Sequence, residues 1–249
     1  MGRTVCEAVL GDPDLELVAA VDPNLTDASV GDLVGSGDTE VKISGELSAF
    51  TEAGATVAVD FTDAAAARRN LSWLASHGVH AVVGTTGLTE SDYERVASEF
   101  DRSNCILAPN FAISAVLMMR FAEMAAPFFD SVEVIELHHE SKVDAPSGTA
   151  ISTIDRIAGA SDEWLDDPTT QETVEGTRGG SRHGIHVHSV RLRGLVAHQE
   201  VIFGAAGQSL TLRQDSYDRT SFMPGVIMAV KAVGDRRGLT IGLDSLLET

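Results

Sequence analysis

The side chains best suited to chemistry lie in one short stretch, Glu136-Leu-His-His-Glu-Ser-Lys-Val-Asp-Ala-Pro-Ser-Gly-Thr149. It holds two imidazoles, an amine and a Ser-Gly-Thr turn. An imidazole titrates near neutrality and an ammonium is both a cation and a proton source, so His138, His139 and Lys142 can bind an anionic substrate and protonate it. Ser147-Gly148-Thr149 precedes a predicted helix, whose unpaired amides and hydroxyls suit a carboxylate, with Pro146 stiffening the approach; the same Ser147 or Thr149 also caps the helix. His138 and His139 are adjacent at a strand end, so their side chains diverge, and no third metal ligand stands in register with them; no metal site is expected.

A second set of candidates lies upstream, where apolar strands Val57–Phe61, Ala81–Val83 and Ile106–Leu107 each run into Gly, Thr or Asn. Open parallel sheets meet ligands at such carboxyl ends. Asp22 closes an expected strand Leu15–Val21, where a carboxylate can accept two hydrogen bonds from a ribose diol; no Arg follows it to clamp a 2′-phosphate. Gly84 allows close approach, and Thr85 and Thr86 offer hydroxyls. Ala108, Pro109, Asn110 and Phe111 form the next turn; alone, Asn110 could satisfy backbone groups and Phe111 could fill core.

Positioning these groups requires a series of alternating elements. Helices are predicted at 3–10, 48–53, 64–77 and 90–100, between the strands above, with a short 41–43 segment, so the first domain reads as a Rossmann-like doubly wound α/β sheet. A helical period from Ser114 to Phe129 leads into strands at 132–137, 185–192, 197–204 and 209–215, with a helix at 149–158 and an acidic loop at 162–180. This is a second α+β domain with a mixed or antiparallel sheet. After Ser216 a helix at 222–234 and a short strand at 239–243 return to the first domain. The expected division is 1–112, 113–216 and 217–249.

The 249 residues carry 37 acids against 18 bases, a net charge of −19, and only two cysteines. Such acidity opposes a phosphate backbone, so nucleic acid is not an expected partner. It reads as a solvated surface, with adaptation to a salty cytoplasm as the competing explanation. Cys6 and Cys105 lack metal or CxxC spacing and are expected to be buried and reduced. No apolar run approaches membrane-spanning length and no leader pattern opens the chain, so no membrane partner and a cytoplasmic location are expected. His183, His186 and His188 are expected to serve structure, and Arg219 a hinge or interdomain ion pair.

Val59-Asp-Phe-Thr62, Val82-Val-Gly-Thr-Thr-Gly87, Ala108-Pro-Asn-Phe-Ala-Ile113, the His138-His139…Lys142…Ser147-Gly148-Thr149 block and Asp218-Arg-Thr-Ser-Phe222 occur in one order. Together they resemble the 4-hydroxy-tetrahydrodipicolinate reductase family, also called dihydrodipicolinate reductases, of the diaminopimelate and lysine pathway. The resemblance implies NADH- or NADPH-dependent reduction of a small cyclic dicarboxylate by a homotetramer. It implies His138 as acid/base group, Lys142 as proton donor, and His139, Gly148 and Thr149 as substrate contacts. It further implies cofactor contacts from Asp22, Gly84, Thr85, Thr86, Ala108, Pro109, Asn110 and Phe111.

Family members open with a strand and a Gly-x-x-Gly-Arg-Met-Gly turn, and this chain begins at Met1-Gly2-Arg3, matching only the tail of that turn. The first strand is therefore expected to be missing and translation to begin upstream. The alternative is a truncated, catalytically impaired module that binds a dicarboxylate.

Overall fold

The structure is a computed structural model that describes residues 1–37 and 39–247. Two compact units emerge, one formed by Met1–Phe111 with the segment from Phe222 onward, the other by Ala112–Ser221. The second crossing therefore falls at Ser221/Phe222, later than the junction expected after residue 216.

In the first unit the order is α1 (Gly2–Leu10), β1 (Ala20–Val21), α2 (Val30–Val34), β2 (Ile43–Ser44), α3 (Ser48–Glu52), β3 (Val57–Asp60), α4 (Ala64–His77), β4 (His80–Val83), α5 (Glu90–Glu99) and β5 (Cys105–Leu107). Local chemistry sets the helix bounds. The Asp63 carboxylate caps α4 by accepting from the amides of Ala65 and Ala66, and Gly78 ends it at φ +70°. Thr89 and Asp92 form a reciprocal capping box on α5. Ala81–Val83 and Cys105–Leu107 are almost wholly buried, as strands covered on both faces must be. Leu71 and Leu74 of α4, Val96 of α5 and Phe100 pack against them.

The second unit contains α6 (Ile113–Ala125), β6 (Ser131–His138), α7 (Gly148–Ala160), β7 (Gly180–Arg182), β8 (Ile185–Arg191), β9 (Ala197–Ala205) and β10 (Gln208–Ser216). The chain then re-enters the first unit as α8 (Met223–Ala232) and β11 (Leu239–Ile241).

The larger sheet of the first unit runs β11-β5-β4-β3, all parallel, and β1 pairs with β2 in a separate parallel ladder. Of the expected Leu15–Val21 strand only the last two residues are ladder-bonded. A strand persists only as far as a neighbour exchanges hydrogen bonds with it, and β1 has that neighbour on one side among the described residues. The sheet of the second unit runs β10-β9-β6-β8-β7, parallel only between β6 and β8, which gives the expected mixed sheet. The short β7 was not anticipated. It enters through the two-residue turn His183-Gly184, both at positive φ, a geometry that matches the twist of a hairpin.

Candidate active site

In the second unit β6 presents alternate residues to the interior: Val132, Val134 and Glu136 are buried, and His138 continues that face at the strand's end. A charged side chain at a core position must be fully bonded, and Glu136, at 0% exposure, is. Its Oε2 accepts from His138 Nδ1 at 2.5 Å and Arg191 Nη1 at 2.9 Å; its Oε1 accepts from Arg191 Nη2 at 2.8 Å and the Ser147 amide at 3.3 Å. Arg191 arrives because β8 is parallel to β6, in a register that puts it opposite His138. Its Nη2 also donates to the Asp144 carbonyl at 2.7 Å, which ties the loop after β6 to the same carboxylate.

These contacts decide the charge states. Burial pulls the Glu136 carboxyl upward, but the hydrogen bonds from Arg191, Ser189 and His138 outweigh it and hold Glu136 below the usual carboxylate value. An ionised carboxylate can only accept, so His138 Nδ1 carries a hydrogen and Nε2 is the ring atom left for chemistry. Burial lowers His138 from its ordinary value, Glu136 opposes that shift, and the charges of Lys142 and Arg191 reinforce it.

The sequence candidates gather around this core. His139 is exposed, with Nδ1 2.8 Å from Ser141 Oγ, so the two histidines do diverge. Lys142 Nζ donates to both Asp144 oxygens at 2.8 Å, and that contact pulls the exposed Asp144 carboxyl down. Ser147 is the N-cap of α7 and accepts from the Ala150 amide at 3.1 Å, with Gly148 exposed and Thr149 half-buried at the first turn. One end of β6 and the start of α7 thus hold an imidazole, an ammonium and a helix terminus within a few residues of chain. Glu136 and Arg191 had no assigned role in the sequence reading. The readable signal was phase, since an acidic residue at 136 continues the buried series 132, 134.

The strand ends of the first unit line up through the pairings Asp60↔Val83 and Val83↔Leu107, so the turns after β3, β4 and β5 are neighbours. Asp22 is half-exposed after β1 and accepts from the Asn24 amide at 2.9 Å. Gly84 has no room for a side chain, because a Cβ there would sit 2.0 Å from the Phe61 ring. Thr85 is buried and its hydroxyl donates to Asp60 Oδ1 at 2.8 Å, whereas Thr86 is exposed. Asp60 also accepts from Thr62 and Asn70, so it locks the turn, an organiser that the sequence reading did not single out. Ala108 and Phe111 are buried, Phe111 against Phe61 with ring centroids 5.6 Å apart; Pro109 is exposed and Asn110 half-buried. The Asp22 carboxylate can accept hydrogen bonds and the exposed Thr86 hydroxyl can donate or accept one, functions that a sugar diol and an amide call for.

The three downstream histidines each lie against a carboxylate: His183 at Asp155, His186 at Asp167 and His188 at Glu133, Arg178 joining Glu133 and Asp167. Arg219 is exposed in a short 3-10 turn, Arg219–Phe222. Among the described residues no helix is long and apolar enough to cross a membrane.

Family comparisons divide the chain at the first crossing between the units. The dihydrodipicolinate reductase N-terminal family model matches residues 1–111 and the C-terminal one residues 114–247. A 4-hydroxy-tetrahydrodipicolinate reductase from Corynebacterium aurimucosum is 47% identical over 256 residues, covering 99% of this chain and 94% of the relative. Another so named, from Nocardia farcinica, is 48% identical over 254 residues, 100% of this chain and 94% of the relative. The solved structure of a dipicolinate-bound dihydrodipicolinate reductase from Paenisporosarcina sp. TG-14 superimposes with TM-score 0.85 at 39% identity, covering 99% of this chain and 95% of that one. An amine dehydrogenase from Mycobacterium smegmatis shares only the fold, with TM-score 0.63 at 13% identity.

Proposed function

Because the chain belongs to the dihydrodipicolinate reductase family, we propose that it reduces 4-hydroxy-tetrahydrodipicolinate to tetrahydrodipicolinate with NADH or NADPH, taking up a hydride and a proton while the 4-hydroxyl leaves as water, and using His138 and Lys142 for proton transfer. The observation that carries this reading is the end of β6: a half-buried imidazole held against a buried carboxylate, an ammonium in the next loop and the capped start of α7.

The substrate is a small ring bearing two carboxylates. His139 and the amides at Gly148 and Thr149 bind those carboxylates, through hydrogen bonds that the positive end of a helix strengthens. Lys142 places a positive charge beside the ring and gives up a proton as electron density builds there, and His138 exchanges protons at Nε2. A positioned acid of this kind is worth about 10²- to 10⁴-fold in rate. In the first unit, Asp22 holds the adenosine ribose, and Gly84, Thr85 and Thr86 with Ala108, Pro109, Asn110 and Phe111 hold and shape the nicotinamide end, the buried members through backbone and packing. The nicotinamide, when bound, supplies the hydride.

Purified protein supplied with fresh condensation product of aspartate semialdehyde and pyruvate should consume NADH or NADPH, and consume neither when that substrate is omitted. Absence of turnover with authentic substrate would reject the assignment. We further place the protein in the cytoplasm as a homotetramer, from family resemblance; light scattering that returns a monomer would remove that part.

A further inference from the structure

We propose that Glu136 is a positioning residue: its buried carboxylate fixes His138 in the Nδ1–H tautomer, so that Nε2 faces the reaction, and links that imidazole to both substrate-binding segments. This rests on His138 being the acid/base group. Three independent pieces of chain end on one carboxylate: the His138 ring, the Arg191 fork that also holds the Asp144 carbonyl of the Lys142 loop, and the Ser147 amide at the start of α7. Glu136 therefore fixes the imidazole relative to the ammonium loop and the carboxylate-binding turn.

Charge makes this more than packing. Arg191 donates both Nη groups to Glu136, which keeps the carboxylate ionised and leaves acceptance as its only hydrogen-bonding role toward His138. The charged groups facing His138 are Glu136 on its own strand, Arg191 from β8, and Lys142, with its partner Asp144, from the following loop. On the other side β9 contributes the uncharged Ala197. Among the described residues Glu136 is thus the single anion shown in contact with the ring, opposed by two cations and by burial.

Two measurements on the full-length protein test this. Nitrogen-15 NMR of the wild type, with His138 assigned by loss of its signals in H138Q, should show neutral His138 protonated at Nδ1 and bare at Nε2. A hydrogen on Nε2 instead would overturn the proposal, whatever any variant does. In E136Q the His138 midpoint, and the matching limb of the kcat/KM profile, should move down by about one to three pH units, because an opposite charge in contact is lost. E136D, which keeps the charge, should restore the midpoint and much of kcat with little change in KM. An E136Q midpoint equal to wild type would also overturn it. Should the wild type show no turnover, the functional reading fails while the tautomer and midpoint still decide the role of Glu136.

Discussion

Replacing Arg191 by methionine removes the charge that makes a buried Glu136 tolerable while keeping most of the side-chain volume. Glu136 is fully buried and loses two charge-assisted hydrogen bonds, at 2.8 and 2.9 Å; the Asp144 carbonyl loses its donor as well. Breaking a buried pair by deleting one partner costs about 3–5 kcal/mol. Arg191 keeps 18% of its side chain exposed, so water can reach the vacated space and the lower end, about 3 kcal/mol, is expected. Each unit holds one of the two tryptophans, Trp73 and Trp164, so urea unfolding followed by Trp164 fluorescence in a W73F background reports the second unit. In an E136Q background the charge to be stranded is gone, and R191M should then cost under about 1 kcal/mol.

Acid acts differently on the two proteins. In the wild type the folded-state pKa of Glu136 lies below its unfolded value, so its contribution is complete above the unfolded value and is lost as pH falls through the lowered one. In R191M the Arg191 contact that opposes burial is gone while those of His138 and Ser189 remain, so the carboxyl rises from its wild-type value and acidification recovers stability relative to the wild type. The gap between the two proteins should narrow between about pH 7 and pH 4. A single-variant cost below about 1 kcal/mol, or a gap independent of pH, would show that Glu136 is not held as an ion by Arg191.

Lys142→Met should lower kcat by about 10²- to 10⁴-fold with an unchanged melting temperature, since the ion pair it breaks ends on the exposed Asp144; turnover within a factor of a few of wild type would exclude Lys142 as proton donor. In α8, a Cβ on Gly225 would lie 2.1 Å from the Phe111 carbonyl oxygen and 3.0 Å from Leu243 Cδ1. Gly225→Ala should therefore destabilise the first unit by about 1–3 kcal/mol despite the better helix propensity of alanine, as read by Trp73 fluorescence; an unshifted transition would contradict the close approach. Cys105 is fully buried and its thiol is pushed up to about 12 by burial, so a disulfide reagent should modify the half-buried Cys6 first. Equal rates in native protein would contradict that environment.

What the sequence makes legible follows from how local its cause is. The bounds of α4 could be read because Asp63 and Gly78 sit at its two ends, and the parallel strands because β4 and β5 are continuous apolar runs. β7 could not, because Gly-Ser-Arg has no strand pattern of its own and is held by the turn after it and by pairing with β8. The expected 162–180 loop has no helix or strand up to Gly180, where β7 begins.

The site shows the same division at finer grain. His138, His139, Lys142 and the Ser147-Gly148-Thr149 turn declare themselves by residue type, because imidazole, ammonium and a small polar turn have few other reasons to be so close. Glu136 was legible only through phase, as an acid at a position where β6 points inward. Arg191 stands 55 residues further along, and nothing near it in sequence identifies its partner; that is set by the parallel register of β6 with β8, a tertiary fact. Thr85 shows the converse: beside Gly84 its hydroxyl reads as a ligand donor, yet Asp60, 25 residues before it, takes that hydrogen in the fold. Groups with reactive chemistry of their own are recognised by residue type. The residues that aim them are buried, and burial makes their choice of partner a property of the sheet, not of the local sequence.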